Sequence, residues 1–317
     1  MCRIVQAVSI GSMVPDQFYG KVHSVFNTAA NLSVEGLDHL LTLILSDTMD
    51  LPQGIRLVPE EADVIQRLEH GQVVTCQESV VRSTGFPFEI DLRHAHPYDG
   101  RILCPLKLSV QKMARPYRVA LEMLAKQQGE KLSELNITHL SPSIAGIEEA
   151  IREEPPVVRQ LSSLIDSARR LDHPQAAVAV RALVGLGGGL TPTGDDVLVG
   201  FLAGLQAAVG VEAARSKWLG ELSETLRIAS NETNDISRTY LILAADGQFS
   251  SSLKNLAGAV CVGEPEEKVR EVAEIAFQVG HTSGMDAATG LLAGLAAWQD
   301  GLIPKSLSGD MVAHFAA

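Results

Sequence analysis

The residues best suited to binding a small anion lie in Gly185–Ala208, which reads GLGGGLTPTGDDVLVGFLAGLQAA. Its three consecutive glycines can adopt positive φ angles and let a ligand approach the backbone closely. Apolar residues recur at helical spacing after the two acids, so the stretch is predicted to be a loop that opens a helix. The candidate binding residues of this loop are Gly187, Gly188, Gly189, Thr191, Thr193, Gly194 and Asp195.

A second Gly-rich loop followed by a small-residue helix occurs near the C-terminal end of the sequence. Aligning residues 194–208 with residues 284–298 gives eight identities among fifteen positions, and it pairs Asp196 with Asp286. The shared glycines predict two helices that pack closely, with their N-terminal ends near each other. Backbone N–H groups at such ends attract anions. The second loop therefore adds the candidates His281, Thr282, Ser283 and Gly284.

A purely structural alternative explains part of this pattern. Thr193 is suited to be the N-cap of the first helix, and Asp195 and Asp196 suit the positive end of its dipole. Glycine and alanine also allow close helix packing without any ligand. Capping and packing alone therefore stand beside a binding site as an explanation.

Positive charge for an anion site can come from Arg93, Arg238 or His281. Arg238 follows Asn234 by one helical turn, so both can lie on one face of a helix capped by Thr233 or Asn234. A capped surface helix is the structural alternative for this segment. We assign substrate contacts to Asn234 and Arg93, and catalytic roles to His281, Arg238, Asp196 and Asp286.

Three carboxylates in the two loops oppose an anion. An ionised Asp a few ångströms from it contributes repulsion of about 1–4 kcal/mol at effective dielectric constants of 80 to 20. At least one of Asp195, Asp196 and Asp286 must therefore turn away as a cap, pair with a cation, or hold a magnesium ion that bridges to phosphate. Magnesium is the one cofactor that the sequence suggests.

A second polar cluster surrounds Arg93, where residues 91–97 read DLRHAHP. His94 and His96 have the same parity, so both would face one side of a strand. That spacing can hold a metal or an anion, but a metal needs a third ligand and the sequence signals none nearby. We therefore predict no metal site here, and strand-end polarity is the simplest interpretation.

Composition limits the possible partners. The 317 residues carry a formal net charge of −12, which argues against a nucleic-acid partner but not against an anionic substrate in a locally positive site. The four cysteines show no C-x-x-C spacing and are typical of free thiols in a reducing compartment. No signal peptide or membrane span is evident. We expect a cytoplasmic protein that has no membrane partner.

Hydrophobic patterning predicts an α+β fold. Short apolar runs separated by turn residues predict strands up to about residue 105, arranged as a small barrel or a sandwich. Runs with a period of 3.6 residues predict helices from about residue 111 to the end. We therefore expect a β-rich domain over residues 1–110 and a helical domain over 111–317, which carries the two quasi-repeated Gly-rich loop–helix units.

The loop Gly185–Asp196 resembles the signature of the protein family that includes the AllH subunit of FdrA-type oxamate carbamoyltransferase. That family usually has Pro where this chain has Gly188 and Ser where it has Thr193, and both differences keep the chemistry of the loop. Residues 280–286 resemble its second motif, which usually begins GHSSG. Residues 91–93 and the β-rich segment before them are also similar, so the resemblance spans most of the chain.

This resemblance implies carbamoyl transfer between oxalurate and phosphate, which gives oxamate and carbamoyl phosphate in allantoin and purine catabolism. It also implies FdrA-like companion subunits. The substrate would be a small anion: phosphate, carbamoyl phosphate or a carboxylate. The alternative is a non-catalytic subunit whose loops bind a metabolite or dock a partner. No Ser-His-Asp or Cys-His set is evident, so the sequence does not indicate a covalent nucleophile.

Overall fold

A computed structural model describes residues 3–85, 87–103, 109–130, 135, 155–299 and 301–302. The described chain divides into two compact units. The first comprises Met1–Arg101 with the short segment Gln248–Ser251, and the second comprises the remainder. The first unit is rich in strands and the second is helical, which confirms the predicted α+β class.

The described part of the first unit contains ten strands in a single curled sheet, a half-barrel. The strands are β1 (Arg3–Gln6), β2 (Ser9–Gly11), β3 (Phe18–Val25), β4 (Ala29–Val34), β5 (Leu41–Leu45), β6 (Gly54–Leu57), β7 (Val73–Gln77), β8 (Val80–Ser83), β9 (Phe88–Asp91) and β10 (His96–Tyr98). Their order in the sheet is β1-β9-β8-β7-β3-β4-β5-β6-β2-β10. The sequence predicted a barrel or a sandwich, and the curled sheet is a partly closed form of the former.

Alternating side chains build the core of this sheet. Alternate residues of β4 and β5 point to one face, where Leu32, Leu41 and Leu43 are almost fully buried. The helix α1 (Ala62–Gln66) adds two buried apolar residues, Val64 and Ile65. Aliphatic side chains dominate this core, as the low aromatic content predicts.

The apolar run over residues 21–29 predicts a single strand, but the structure ends that strand earlier. The chain turns after β3 and returns as β4. The Phe26 N–H donates to the Ala29 carbonyl at 2.7 Å and closes this turn. A bulge interrupts the β3–β4 pairing between Val22 and Ser24, so the regular alternation of side chains along β3 is lost at His23.

The described part of the second unit contains nine helices. They are α2 (Val110–Glu130), α3 (Pro156–Arg170), α4 (His173–Leu183), α5 (Thr193–Ala208), α6 (Ala213–Ala229), α7 (Asp235–Ala245), α8 (Ser251–Val262), α9 (Glu266–Phe277) and α10 (Ser283–Trp298). Apolar runs with a period of 3.6 residues predict helices over Val157–Leu171 and after Pro174, and the structure confirms them as α3 and α4. The same pattern predicts a helix over residues 142–153, which lie outside the described residues. No described helix is both long enough and apolar enough to cross a membrane.

The two repeated helices, α5 and α10, cross at their glycines. A Cβ atom added at Gly204 would lie 3.0 Å from the Gly294 Cα and 2.2 Å from the Leu291 carbonyl oxygen. A Cβ at Gly290 would lie 2.1 Å from the Val197 carbonyl oxygen, and one at Gly200 would lie 1.8 Å from that of Ala287. Backbone therefore meets backbone along this crossing, and the predicted glycine contact is confirmed.

Substituting Ala for Gly204 should destabilise the helical unit. Its Cβ would overlap backbone atoms that cannot rotate away, and overpacking of this kind costs about 1–3 kcal/mol. Gly220 is the matched control, because it is exposed on α6 and its added Cβ would meet nothing within 4 Å. Gly220→Ala should stabilise the protein by roughly 0.5–1 kcal/mol. Urea unfolding of both variants measures these changes, and equal unfolding midpoints for the two would contradict the crossing.

Candidate functional site

Two hydroxyl contacts bring the Gly-rich loops together. The Thr191 and Ser283 Oγ atoms are 2.7 Å apart and share a hydrogen bond. The Thr193 hydroxyl donates to the Asp286 Oδ2 atom at 3.1 Å. The two segments that the sequence selected, one before each repeated helix, therefore meet at the starts of α5 and α10. We call the polar cluster formed by Thr191, Thr193, Asp196, Ser283 and Asp286 the loop junction.

The loop junction departs from the predicted capping in one respect. Thr193 was expected to be the N-cap of α5, but the N-cap residue is Pro192, which makes no side-chain hydrogen bond. Thr193 is the first helical residue instead, and its hydroxyl contacts the second repeat. The proline sets the start of the helix because its ring fixes φ near the helical value.

Asp195 is a buried anchor. Its side chain is 1% exposed, and its Oδ1 atom accepts the Gly185 N–H at 2.8 Å. Its Oδ2 atom accepts the hydroxyls of Thr233 and Ser237, both at 2.6 Å. Asp195 therefore ties the Gly-rich loop to the start of α7. We predicted it as a substrate contact, but three protein donors already occupy its carboxylate.

Asp196 lies in a different environment. Burial raises its pKa well above the ordinary value of 3.8, hydrogen bonds from Ser283 and Thr191 lower it, and the charges of Asp286 and Asp195 raise it again. Its Oδ2 atom is buried and has no hydrogen-bond partner in the described part of the chain. The geometry therefore disfavours the ionised form of Asp196, because a buried carboxylate needs donors on both oxygens.

The first loop contains backbone N–H donors that no described residue accepts. Residues 187–190 are exposed, and within the described residues no hydrogen bond is formed by the backbone N–H groups of residues 187–191. Gly187 and Gly189 have φ of 117° and 89°, which side chains rarely tolerate. Gly188 has neither a positive φ nor a close neighbour.

The starts of the two repeated helices are less open than we expected. The Gly194 N–H donates to the Leu186 carbonyl at 2.8 Å, and the Gly284 N–H donates to the Val279 carbonyl at 3.0 Å. Added Cβ atoms at these glycines would lie 2.0 and 2.1 Å from the carbonyl oxygens of Leu183 and Ala276, respectively. Both predicted contact glycines therefore serve tight packing, and the unused donors lie in residues 187–191.

The remaining predicted residues of the helical unit lie around these loops. Asn234 is the N-cap of α7, and its Oδ1 atom accepts the N–H groups of Ile236 and Ser237, both at 3.1 Å. Arg238 donates from Nε to the Asn231 Oδ1 atom at 3.2 Å. The predicted cap is thereby confirmed, and the Arg238 backbone N–H also donates to the Asn234 carbonyl at 2.8 Å.

The residues just before α10 differ in exposure. His281 is exposed, whereas Thr282 is half-buried and is the N-cap residue of α10. The Thr282 carbonyl accepts the Asp286 N–H at 3.0 Å, and its hydroxyl makes no capping hydrogen bond. The contact of Thr282 with the helix is therefore through its backbone.

Arg93 belongs to the strand unit. Its guanidinium donates to both carboxylate oxygens of Asp91, at 2.9 and 2.6 Å, and its backbone N–H donates to the same group. This pairing holds the pKa of Asp91 well below its usual range. His94 and His96 are exposed, and in the described ranges no group of three His, Cys, Asp or Glu side chains could hold a metal ion.

Sequence reasoning missed two residues near the loop junction. Ser237 completes the donors to Asp195, and no helix-face spacing signalled this, because Thr233 precedes the N-cap Asn234 and lies outside the helix. Tyr240 is the other. Burial raises its pKa to about 12, and the charge of Asp196 adds to that shift. No local pattern in the sequence indicated that Tyr240 would approach Asp196.

Asp195→Ala should destabilise the protein by about 2–4 kcal/mol, because it leaves the Gly185 N–H and two hydroxyls without their acceptor. Asp166→Ala is the control, since Asp166 is exposed on α3. Urea unfolding at one pH compares the two. A loss for Asp195→Ala no larger than that for Asp166→Ala would show that Asp195 is not an anchor.

Asp196→Asn should stabilise the protein more at pH 8 than at pH 4. The raised folded-state pKa means that the folded chain binds more protons than the unfolded chain above pH 3.8, so stability falls as pH rises toward that pKa. Asn cannot ionise and removes this loss. Thermal melts of both proteins across this range measure the difference, and a gain that does not change with pH would contradict the assignment.

Comparison with known families places this geometry in context. Residues 183–295, which contain both Gly-rich loops and most of the two repeated helices, match the family described as oxamate carbamoyltransferase subunit AllH. Residues 6–97, which contain most of the curled sheet, match the AllH family N-terminal domain. No solved structure matches the chain. The two matches span most of the described chain, and the protein belongs to the AllH family.

Proposed function

We propose that this chain is a subunit of a carbamoyltransferase that converts oxalurate and phosphate to oxamate and carbamoyl phosphate, and that its Gly-rich loops bind the anion. One observation carries the proposal. The loop with unused N–H groups, residues 187–191, lies against the start of α10 through the Thr191–Ser283 contact. Successive free N–H groups and adjacent hydroxyls are typical ligands for phosphate.

The reaction requires one bond to form and one to break. A phosphate oxygen attacks the carbamoyl carbon of oxalurate, and the bond from that carbon to the oxamate nitrogen breaks. The proton of hydrogenphosphate ends on that nitrogen, so atoms and charge balance. Donors fixed beside the attacking oxygen would hold it in place and stabilise the charge that develops on the carbamoyl oxygen.

The surroundings of the acids reduce the repulsion that their carboxylates would exert on a bound anion. Asp195 is held by its three protein donors, and Asp196 favours its neutral form. The positive ends of α5 and α10 each carry roughly half an elementary charge. Repulsion of the anion is therefore smaller than the number of acids implies.

Companion subunits are part of the proposal, since the family is described as a subunit of its enzyme. Leu190 favours a second candidate role for the same loop, because its large apolar side chain is 54% exposed beside the glycines. Such a side chain suits docking of an FdrA-like companion. In that case the loop would bind a partner and the anion would bind elsewhere.

Gly189→Ala should weaken phosphate binding by roughly tenfold. A residue with a Cβ disfavours a φ of 89° by about 1–2 kcal/mol, so the N–H groups after it would move. Gly188→Ala is the matched control, since that residue has an ordinary φ and open space and keeps its N–H. Isothermal titration of phosphate into each variant measures the effect.

The titration is run with the chain alone and with companion subunits, with and without magnesium. Carbamoyl phosphate and sulfate serve as further probes. Binding that needs magnesium would favour a bridging ion over the bare loop. An absence of phosphate and carbamoyl phosphate binding under all of these conditions would remove the anion site and leave the docking role.

A further inference from the structure

The quasi-repeat places its chemical groups in equivalent positions. Thr193 and Ser283 are the first residues of α5 and α10, and Asp196 and Asp286 each follow three residues later. The Thr193 hydroxyl donates to Asp286 at 3.1 Å, and the Ser283 hydroxyl bonds to Asp196. Each helix therefore supplies a hydroxyl to the aspartate of the other. This reciprocity is the mark of a local pseudo-twofold axis.

A pseudo-twofold axis that relates two aspartates brings like charges together in a sheltered place. Asp286 is 1% exposed, and the Asp196 Oδ2 atom is buried with no hydrogen-bond partner among the described residues. Like charges on two neighbouring carboxylates repel each other, and this repulsion disfavours ionising both at once.

We propose that Asp196 and Asp286 share one proton and form the acid–base pair that moves a proton during carbamoyl transfer. The acid–base role in this inference rests on the proposed function, whereas the shared proton does not depend on it. The burial of Asp196 and the charge of Asp286, which both raise the Asp196 pKa, support it. The other ionisable groups that act on Asp196, or are acted on by it, are Asp195 and Tyr240.

The pair can carry the proton that the reaction must relocate. As the phosphate oxygen bonds to the carbamoyl carbon, the ionised carboxylate takes the proton of hydrogenphosphate. As the carbon–nitrogen bond breaks, the protonated carboxyl gives its proton to the oxamate nitrogen. The pair ends with one proton, now on the other member, so it needs no outside proton donor.

Carbon-13 NMR of labelled Asp carboxyls in the free chain tests the sharing directly. One carboxyl should stay protonated at neutral pH in the wild-type chain. Asp286→Asn should lower the pKa of Asp196 but leave it above the ordinary value, because burial, the largest cause of the shift, remains. Asp196→Asn should abolish the high-pKa signal. Asp166→Asn, at an exposed position of α3, should change neither the pKa of Asp196 nor the high-pKa signal. An Asp196 pKa that is unaltered in Asp286→Asn would overturn the pair, because burial alone would then explain it.

Thr193→Val provides a second variant if the Asn variants fold poorly. It removes the hydroxyl that donates to Asp286, so the pair should hold its proton to higher pH. Ser237→Ala is its control, since that hydroxyl donates to Asp195 instead. An identical titration for Thr193→Val and the wild type would count against the shared proton.

Kinetics of the assembled enzyme test the proton-transfer role. Either Asn variant should lower kcat by about 10²-fold or more and remove a limb of the pH profile, whereas Asp166→Asn should leave both unchanged. If the carboxyl pair has a high pKa but the assembled enzyme shows no carbamoyl transfer, the proposed function is wrong and the proposal of a shared proton stands. If both variants catalyse carbamoyl transfer with the same pH profile of kcat as the wild type, the acid–base role is wrong and the proposed function stands.

Discussion

The structure of the helical unit depends on the contact of α5 with α10 through glycine. At Gly204 and Gly294 the two backbones approach so closely that no side chain fits between them. Close backbone approach fixes both the separation and the rotation of the two helices, because few other arrangements would satisfy the same contacts. The first residues of both helices are thereby brought near each other, and the Thr191–Ser283 and Thr193–Asp286 hydrogen bonds join them there.

Polar chemistry at the loop junction follows from that constraint. Once the helix starts are adjacent, Thr193 reaches Asp286 and Thr191 reaches Ser283. Asp195 faces the opposite way and binds the loop and α7, so neighbouring acids in the sequence have separate roles. One acid stabilises the fold, and the next lies in surroundings that disfavour its charge. This separation would allow an acidic segment to lie beside the proposed anion site.

Much of this arrangement could be predicted from the sequence. The repeated glycine spacing predicted the helix crossing, because glycine at every fourth position leaves a groove on one face of a helix. The α+β class followed from the change in apolar period. The direction in which Asp195 points could not be predicted, since its donors Thr233 and Ser237 lie 38 and 42 residues later in the sequence. The order of the strands in the curled sheet could not be predicted either, because short alternating strands do not specify it.

The positions of the N–H donors in the proposed site could also be predicted only in part. Free N–H groups were expected at the helix starts, but the carbonyls of Leu186 and Val279 bind two of them. The N–H groups without a partner among the described residues lie in residues 187–191, where Gly187 and Gly189 have the positive φ angles that glycine permits. Both the glycines and the local loop geometry therefore bear on where an anion would bind.

Anomalous diffraction from crystals soaked in tungstate, a heavy tetrahedral anion similar in shape to phosphate, tests the central claim most directly. We expect an anomalous peak for tungstate whose oxygens lie about 3 Å from the N–H groups of Gly189 and Leu190 and beside the Thr191 and Ser283 hydroxyls. A peak bound only elsewhere, or none at tungstate concentrations that displace phosphate in solution, would contradict it.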